Sequence, residues 1–238
     1  MLKNVVPVNV QRHAHKKIRQ IEGYGFASQF HVAYVTAHEF SRAAAIYPLV
    51  FIEDQERASF RPVALLGLDG GENLFVDGDG NWAASYIPAI IRRYPFSLSQ
   101  SDEDGRFLVC VDEASPLFND TEGSPMFNEQ GEPAEVIENV KRYLSELHQM
   151  DAVTTEFCQF LQANNLLDPF NMRVTRNDKV RNISGCFVIN EERLNQLSDA
   201  LFLEMRAKRF LPAVYAQLTS LSQIERLVTL KDERGPAA

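Results

Sequence analysis

Cysteine is scarce in this chain, and its scarcity excludes the first class of small, cross-linked folds. Cys110, Cys158 and Cys186 are the only three in 238 residues. They are widely spaced and two lie in apolar runs, so no disulfide framework is expected and the setting reads as reducing, hence cytoplasmic. Basic residues are also short: Lys plus Arg total 24 against 32 Asp plus Glu, a formal net charge of -8. Nucleic-acid and anionic-membrane binders need a basic face, so neither partner is expected. Long apolar runs are missing too. The longest, 43–52, is interrupted by Pro48 and is too short to span a bilayer, and the first residues lack the apolar stretch of a signal peptide. No membrane insertion is expected.

Linkers rich in Gly, Ser or Pro are absent, so one domain over 1–238 is expected, with a basic N-terminal segment 1–22, a sheet-rich part 23–114, a loop 115–132 and a helix-rich part 133–230. The fold class is α+β, a mainly antiparallel sheet packed by helices with a helical C-terminal part. Strands are read at 31–35, 49–53, 62–68 and 106–111, the last nearly all apolar and therefore expected to be buried on both faces. A hairpin is expected where Asn73–Val76 and Trp82–Tyr86 flank the turn 77–81. A polar loop covers 97–105, between Pro95 and that last strand.

The helices carry clearer marks. Thr36 and Glu39 have capping-box spacing, ahead of a helix 40–46 that Pro48 stops. Pro88 to Arg93 reads as about two turns, with Pro88 suited to the first turn and Pro95 forcing Tyr94 out of it. From Pro133 an apolar stripe at Val136, Val140, Tyr143, Leu147, Met150, Phe157 and Leu161 predicts one long helix, or two broken near 149–152. The stripe serves either the core or a homodimer seam. Strands at 171–175 and 182–189 follow around a turn at 177–179. Asn190 then caps an amphipathic helix through Leu194, Leu197, Leu201 and Met205, helical spacing continues to Val228, and 232–238 is expected to fray.

Chemistry-bearing patterns are few. His13 and His15 could offer two ligands, but no third partner stands at a placeable distance, so exposed histidines are expected and no metal site. Asp77, Asp79 and Asn81 imitate the start of a calcium loop, which fails at Trp82 and Pro88, leaving a plain turn. His38 beside Glu39 resembles an acid/base pair, yet the cap explains Glu39 without a substrate. No nucleophile–base pair, phosphate loop or cofactor motif occurs, so no catalytic residue and no cofactor is assigned. The best ligand set is Trp82, Tyr86, Arg92, Arg93 and Tyr94, because aromatic rings with paired guanidinium donors stack on a sugar or ring and hold an anion. In the alternative, the aromatics are core and the arginines pair with Asp112 or Glu113.

Along nearly the whole chain, ordered motifs carry a resemblance. Phe26-Ala27, Glu39-Phe40, Tyr47-Pro48-Leu49-Val50-Phe51 and Ala64-Leu65-Leu66-Gly67-Leu68 come first, then Asn73-Leu74-Phe75-Val76, Tyr86-Ile87-Pro88-Ala89 and Arg92-Arg93-Tyr94-Pro95-Phe96. Val111-Asp112-Glu113, Gly131-Glu132, Thr155-Glu156-Phe157 and Tyr215-Ala216-Gln217-Leu218-Thr219-Ser220-Leu221 complete the series. The chain resembles the bacterial SapC-like family. That resemblance implies a link to surface-layer export, or to sugar uptake beside TonB-dependent receptors, halogenase-like and hydroxylase-like proteins. It brings no catalytic residues. A permease label sometimes given to the family conflicts with the missing membrane helix.

Three functions follow as expectations. The first is a non-catalytic accessory protein with a protein partner and a small-molecule or sugar ligand. The second is an enzyme or cofactor-binding partner of the halogenase-like or hydroxylase-like proteins, using His38, Glu39, Asp112 or Glu113. The third is a structural homodimer subunit.

Overall fold

Short N-terminal pieces of the chain pair with partners about a hundred residues away. The computed structural model describes residues 2–56, 58–101, 105–176 and 179–234, with the side chains of 174–182 outside that description. β1 (Val5–Pro7) adds antiparallel to β7 (Phe107–Asp112), which pairs in turn with β6 (Phe96–Gln100). After a turn of helix, α1 (Val10–His13), β2 (Lys17–Ile18) lies between β8 (Phe118–Asn119) and β9 (Ser124–Pro125). The segment expected as loop 115–132 thus holds two short strands, and the strand between them is supplied by the N-terminal part of the chain. β6 likewise occupies the start of the expected loop 97–105, of which 102–104 lie outside the described residues. Only the second half of β7 is buried, since Phe107 is 51% exposed and Leu108 40%.

The main sheet is five-stranded and antiparallel, in the order β10 (Leu167–Arg176), β11 (Lys179–Ile189), β4 (Leu49–Asp54), β5 (Ser59–Leu65), β3 (Val32–Tyr34). β5 tolerates Pro62 because its carbonyl accepts from Val35 N–H, which puts the missing donor on the side where β3 ends. The turn expected at 177–179 falls partly on 177 and 178, outside the described residues. The hairpin expected at 73–86 is reduced to a turn with one bridge, Val76 to Trp82.

Helices cover the sheets. α2 (Phe40–Ala43) follows a 3₁₀ turn at Ala37–Glu39 and is shorter than expected. α3 (Ala89–Arg92) is a single turn. α4 (Glu135–Ala163) runs unbroken for 29 residues. Of its stripe, Leu147, Phe157 and Leu161 are buried within the chain itself, while Val136, Val140, Tyr143 and Met150 are partly exposed. Thr154, the polar residue in that stripe, is also buried: its hydroxyl donates to the Met150 carbonyl at 2.7 Å and accepts Ala37 N–H at 2.9 Å. The single helix expected at 190–205 is two, α5 (Glu191–Asn195) capped by Asn190 and α6 (Asp199–Ala207) capped by Ser198.

α7 (Leu211–Ser220) is tied to the sheet through buried Gln217, which donates to the Leu49 carbonyl and accepts Ile189 N–H. α8 (Gln223–Arg234) corrects the expected fraying up to residue 234, with 235–238 outside the described residues. Arg234 donates to the carbonyls of Asn73, Leu74 and Val76 at 2.7–2.9 Å, and Lys231 pairs with Asp69 and Glu72.

The larger core joins the five-stranded sheet to α2, α4 and the C-terminal helices. A smaller core lies under the first half of α4, built from Ile18, Phe96, Val111, Met126, Phe127 and Ile137. Gly123 closes that second unit. Its φ is 97°, and a Cβ there would stand 2.2 Å from the Ile18 carbonyl oxygen. Gly123→Ala is expected to cost about 2 kcal/mol or more through both strain and clash. An unchanged urea midpoint for the variant would contradict this close approach.

Candidate functional site

Glu39 begins the site. Its side chain is buried, and the carboxylate accepts from four donors: Thr36 N–H at 2.9 Å, Thr36 hydroxyl at 3.0 Å, Tyr86 hydroxyl at 2.7 Å and Ala89 N–H at 2.8 Å. The first pair is the cap. The second pair reaches another part of the chain and holds the start of α3, where Pro88 has no N–H to offer. Tyr143 on α4 takes the other side of the same residue, donating its hydroxyl to the Ala89 carbonyl at 2.9 Å. Burial, then the Glu39 charge, pushes the Tyr86 hydroxyl pKa well above its ordinary value, so Tyr86 stays a donor.

α3 fixed in this way delivers Arg92 and Arg93. Arg92 donates Nε–H to the Ile87 carbonyl at 3.0 Å and lies over two rings, Tyr86 at 5.8 Å and Tyr143 at 5.6 Å. Arg93 is half-buried. Its Nε has no hydrogen-bond partner among the described residues, and burial lowers its pKa. Tyr94 is buried, its ring stacked on Phe26 at 4.0 Å and 16°. All three line a cleft of about 730 Å³ between α3, the 18–21 segment and the first turns of α4. Arg19, Gln20, Ser124, Glu135, Asn139 and Tyr143 are among its other polar residues. α4 enters it at Ala134 without a side-chain cap, and its first turn carries two acids, Glu135 and Glu138, that offset its partly positive end.

The other expected ligand residues sit elsewhere. Trp82 donates Nε1–H to the Tyr47 hydroxyl at 2.9 Å and meets Tyr24 edge-on at 5.7 Å, outside the cleft. Tyr47 in turn donates to the Tyr86 carbonyl. Tyr86 faces a smaller cleft shared with Glu39, Arg42 and Arg92. Asp112 and Glu113 are not the partners of Arg92 and Arg93. Asp112 accepts the N–H groups of Lys3, Asn4 and Ala114, and Glu113 pairs with Arg12 at 2.6 Å and His13 at 3.2 Å.

The neighbouring Arg12 keeps the Glu113 pKa below the usual carboxylate range. His13, expected to be exposed, is fully buried: its Nδ1 accepts Asn9 N–H and its ring meets Phe118 edge-on. His38 is exposed. Asp77 is used by its own turn, accepting N–H from Asp79 and Asn81. Among the described residues, no group of three or more His, Cys, Asp or Glu is placed to hold a metal ion.

The family model for SapC matches residues 8–227. The chain belongs to the SapC family. Searches of curated proteins and of solved structures gave no match. No helix of this SapC-family chain, among the described residues, is long and apolar enough to cross a membrane.

Sequence reading missed the contribution of Glu39 to α3, and it missed Tyr143, Asn139 and Arg19. Tyr143 carried a signal in the helical stripe, where it was counted as apolar. Arg19 carried none, because its place depends on β2 joining strands a hundred residues away. Glu39→Gln puts an amide donor against donors and is expected to cost about 2–3 kcal/mol, whereas Tyr86→Phe removes one bond and costs about 1 kcal/mol. Urea denaturation of both variants checks the order, and equal small losses would contradict the role of Glu39.

Proposed function

We propose that this SapC-family protein is a non-catalytic binding protein of the cytoplasm that takes a small hydroxylated anion, of the sugar phosphate or sugar acid class, into the cleft beside α3. The observation that carries the reading is Arg93, a half-buried guanidinium whose Nε lacks a partner among the described residues. Taking such a group out of water without a counter-charge is costly, and a ligand oxyanion offsets that cost. Arg92 stands beside it, so two planar donors can serve one phosphate or carboxylate.

Charge in the cleft favours the same ligand. Arg19, Arg92 and Arg93 face one acid, Glu135, and the formal balance of these four is 3 − 1 = +2. A phosphate monoester brings about −1.5 to −2 at neutral pH. Arg19 already reaches Glu122 at 3.4 Å and the Pro116 carbonyl at 2.8 Å, so the attraction centres on α3. Gln20, Ser124 and Asn139 supply neutral donors and acceptors that suit hydroxyls. The family resemblance attaches this binding to sugar uptake or surface-layer export, with a protein partner receiving the liganded form.

Calorimetric titration with glucose 6-phosphate, glucuronate and glucose at low salt tests the reading. The two anions are expected to bind and glucose to bind far more weakly. Arg93→Gln should weaken both anions at least about tenfold, near 1.4 kcal/mol. No binding by either anion, or an affinity untouched by Arg93→Gln, would overturn it.

A further inference from the structure

A second cleft, of about 490 Å³, opens where β3, β4 and β5 meet the β6–β7 hairpin and the middle of α4. Its size lies within the range of small-molecule sites, roughly 300–1,000 Å³. It differs from the first in its polar groups rather than in its apolar walls, which the first also has in Ile18, Ile21, Phe96, Val136 and Val140. The walls are mainly apolar, with Val32, Ile52, Val63, Leu98 and Leu147 contributed by two sheets and a helix. Phe107 is half-exposed at its rim and rests on the His148 ring at 4.3 Å.

The polar groups are few and already arranged. Tyr34 donates its hydroxyl to Asp151, and the Arg61 guanidinium lies over the Tyr34 ring at 5.0 Å. Arg93 forms part of the lining, as it does in the first cleft. Leaving His148 out of the count, Arg61 and Arg93 against Asp151 give 2 − 1 = +1. An apolar cleft with a net charge of one suits a single carboxylate on a hydrocarbon body, and it suits a phosphate dianion or a polyol poorly.

We propose that this second cleft binds an apolar monocarboxylate, a medium-chain or aromatic acid, and that it competes with the first cleft for Arg93. The site itself stands on the walls and charges of the second cleft. The competition rests in addition on the sugar-anion reading of the first. One guanidinium cannot complete two anion sites at once, so filling either cleft weakens the other.

Phe107→Trp supplies a reporter at the rim, because Trp82 is committed to Tyr47 away from this cleft. Octanoate is the probe and 1-octanol its uncharged control. Octanoate is expected to give a saturable fluorescence change, with octanol at least tenfold weaker. Arg61→Gln should weaken octanoate at least fivefold and leave glucose 6-phosphate unchanged, whereas Arg92→Gln should do the reverse. Leu98→Phe, which fills the cleft with both guanidiniums intact, should abolish octanoate binding, and thermal unfolding of each variant verifies that it folds.

Equal binding of octanoate and octanol, no binding, or indifference to Arg61→Gln overturns the site. Octanoate binding that saturating glucose 6-phosphate leaves unaltered overturns the competition. A failure of both glucose 6-phosphate and glucuronate to bind sinks the first-cleft reading and, with it, the competition, while the octanoate titration still decides the second site.

Discussion

One buried carboxylate holds the candidate site together. Glu39 joins the 3₁₀ turn that follows β3 to the start of α3, and each of its oxygens accepts two donors. A charge removed from water is tolerated only when its lone pairs are met, and here donors from two separate stretches of chain meet them. α4 completes the arrangement. Thr154 takes the N–H of Ala37 at one end of the turn, and Tyr143 reaches the Ala89 carbonyl, so turn, α3 and long helix fix one another. A single helical turn such as α3 has no stability of its own, and these bonds hold its arginines in place.

Charge is distributed to the same end. The acids at the end of β7 bind the N-terminal segment, Asp112 through backbone N–H groups and Glu113 through Arg12 and His13. They are therefore not available to neutralise α3. Arg92 gives its Nε–H to a carbonyl and lies over two ring faces, which leaves its terminal N–H groups for a ligand, and Arg93 stands at the boundary of two clefts. The balance of guanidinium to carboxylate differs between those clefts, three to one in the first and two to one in the second.

Local signals were legible in the sequence and distant ones were not. The Thr36–Glu39 cap, the α4 stripe and the strand β4 follow from spacing over a few residues, and the structure has all of them; β5 (Ser59–Leu65) starts and ends ahead of the strand expected at 62–68. β1, β2, β8 and β9 could not be read, because each is two or three residues long and exists only through a partner far along the chain. His13 looked exposed for the same reason, since its cover comes from Phe118 and Glu113. In the candidate site, Arg92, Arg93 and Tyr94 were found as one stretch. Trp82 was grouped with them by sequence nearness, whereas its indole N–H is taken by Tyr47.

The central claim is that Glu39 holds α3 so that Arg92 and Arg93 together meet an anion. Arginine Nε–Hε resonances, followed by nuclear magnetic resonance during titration with glucose 6-phosphate, test it most directly. Large shifts confined to Arg92 and Arg93, with slowed exchange at Arg93 Nε–H and no change at Arg234, are the predicted result. A titration that moves neither, or moves all arginines alike, would contradict the claim.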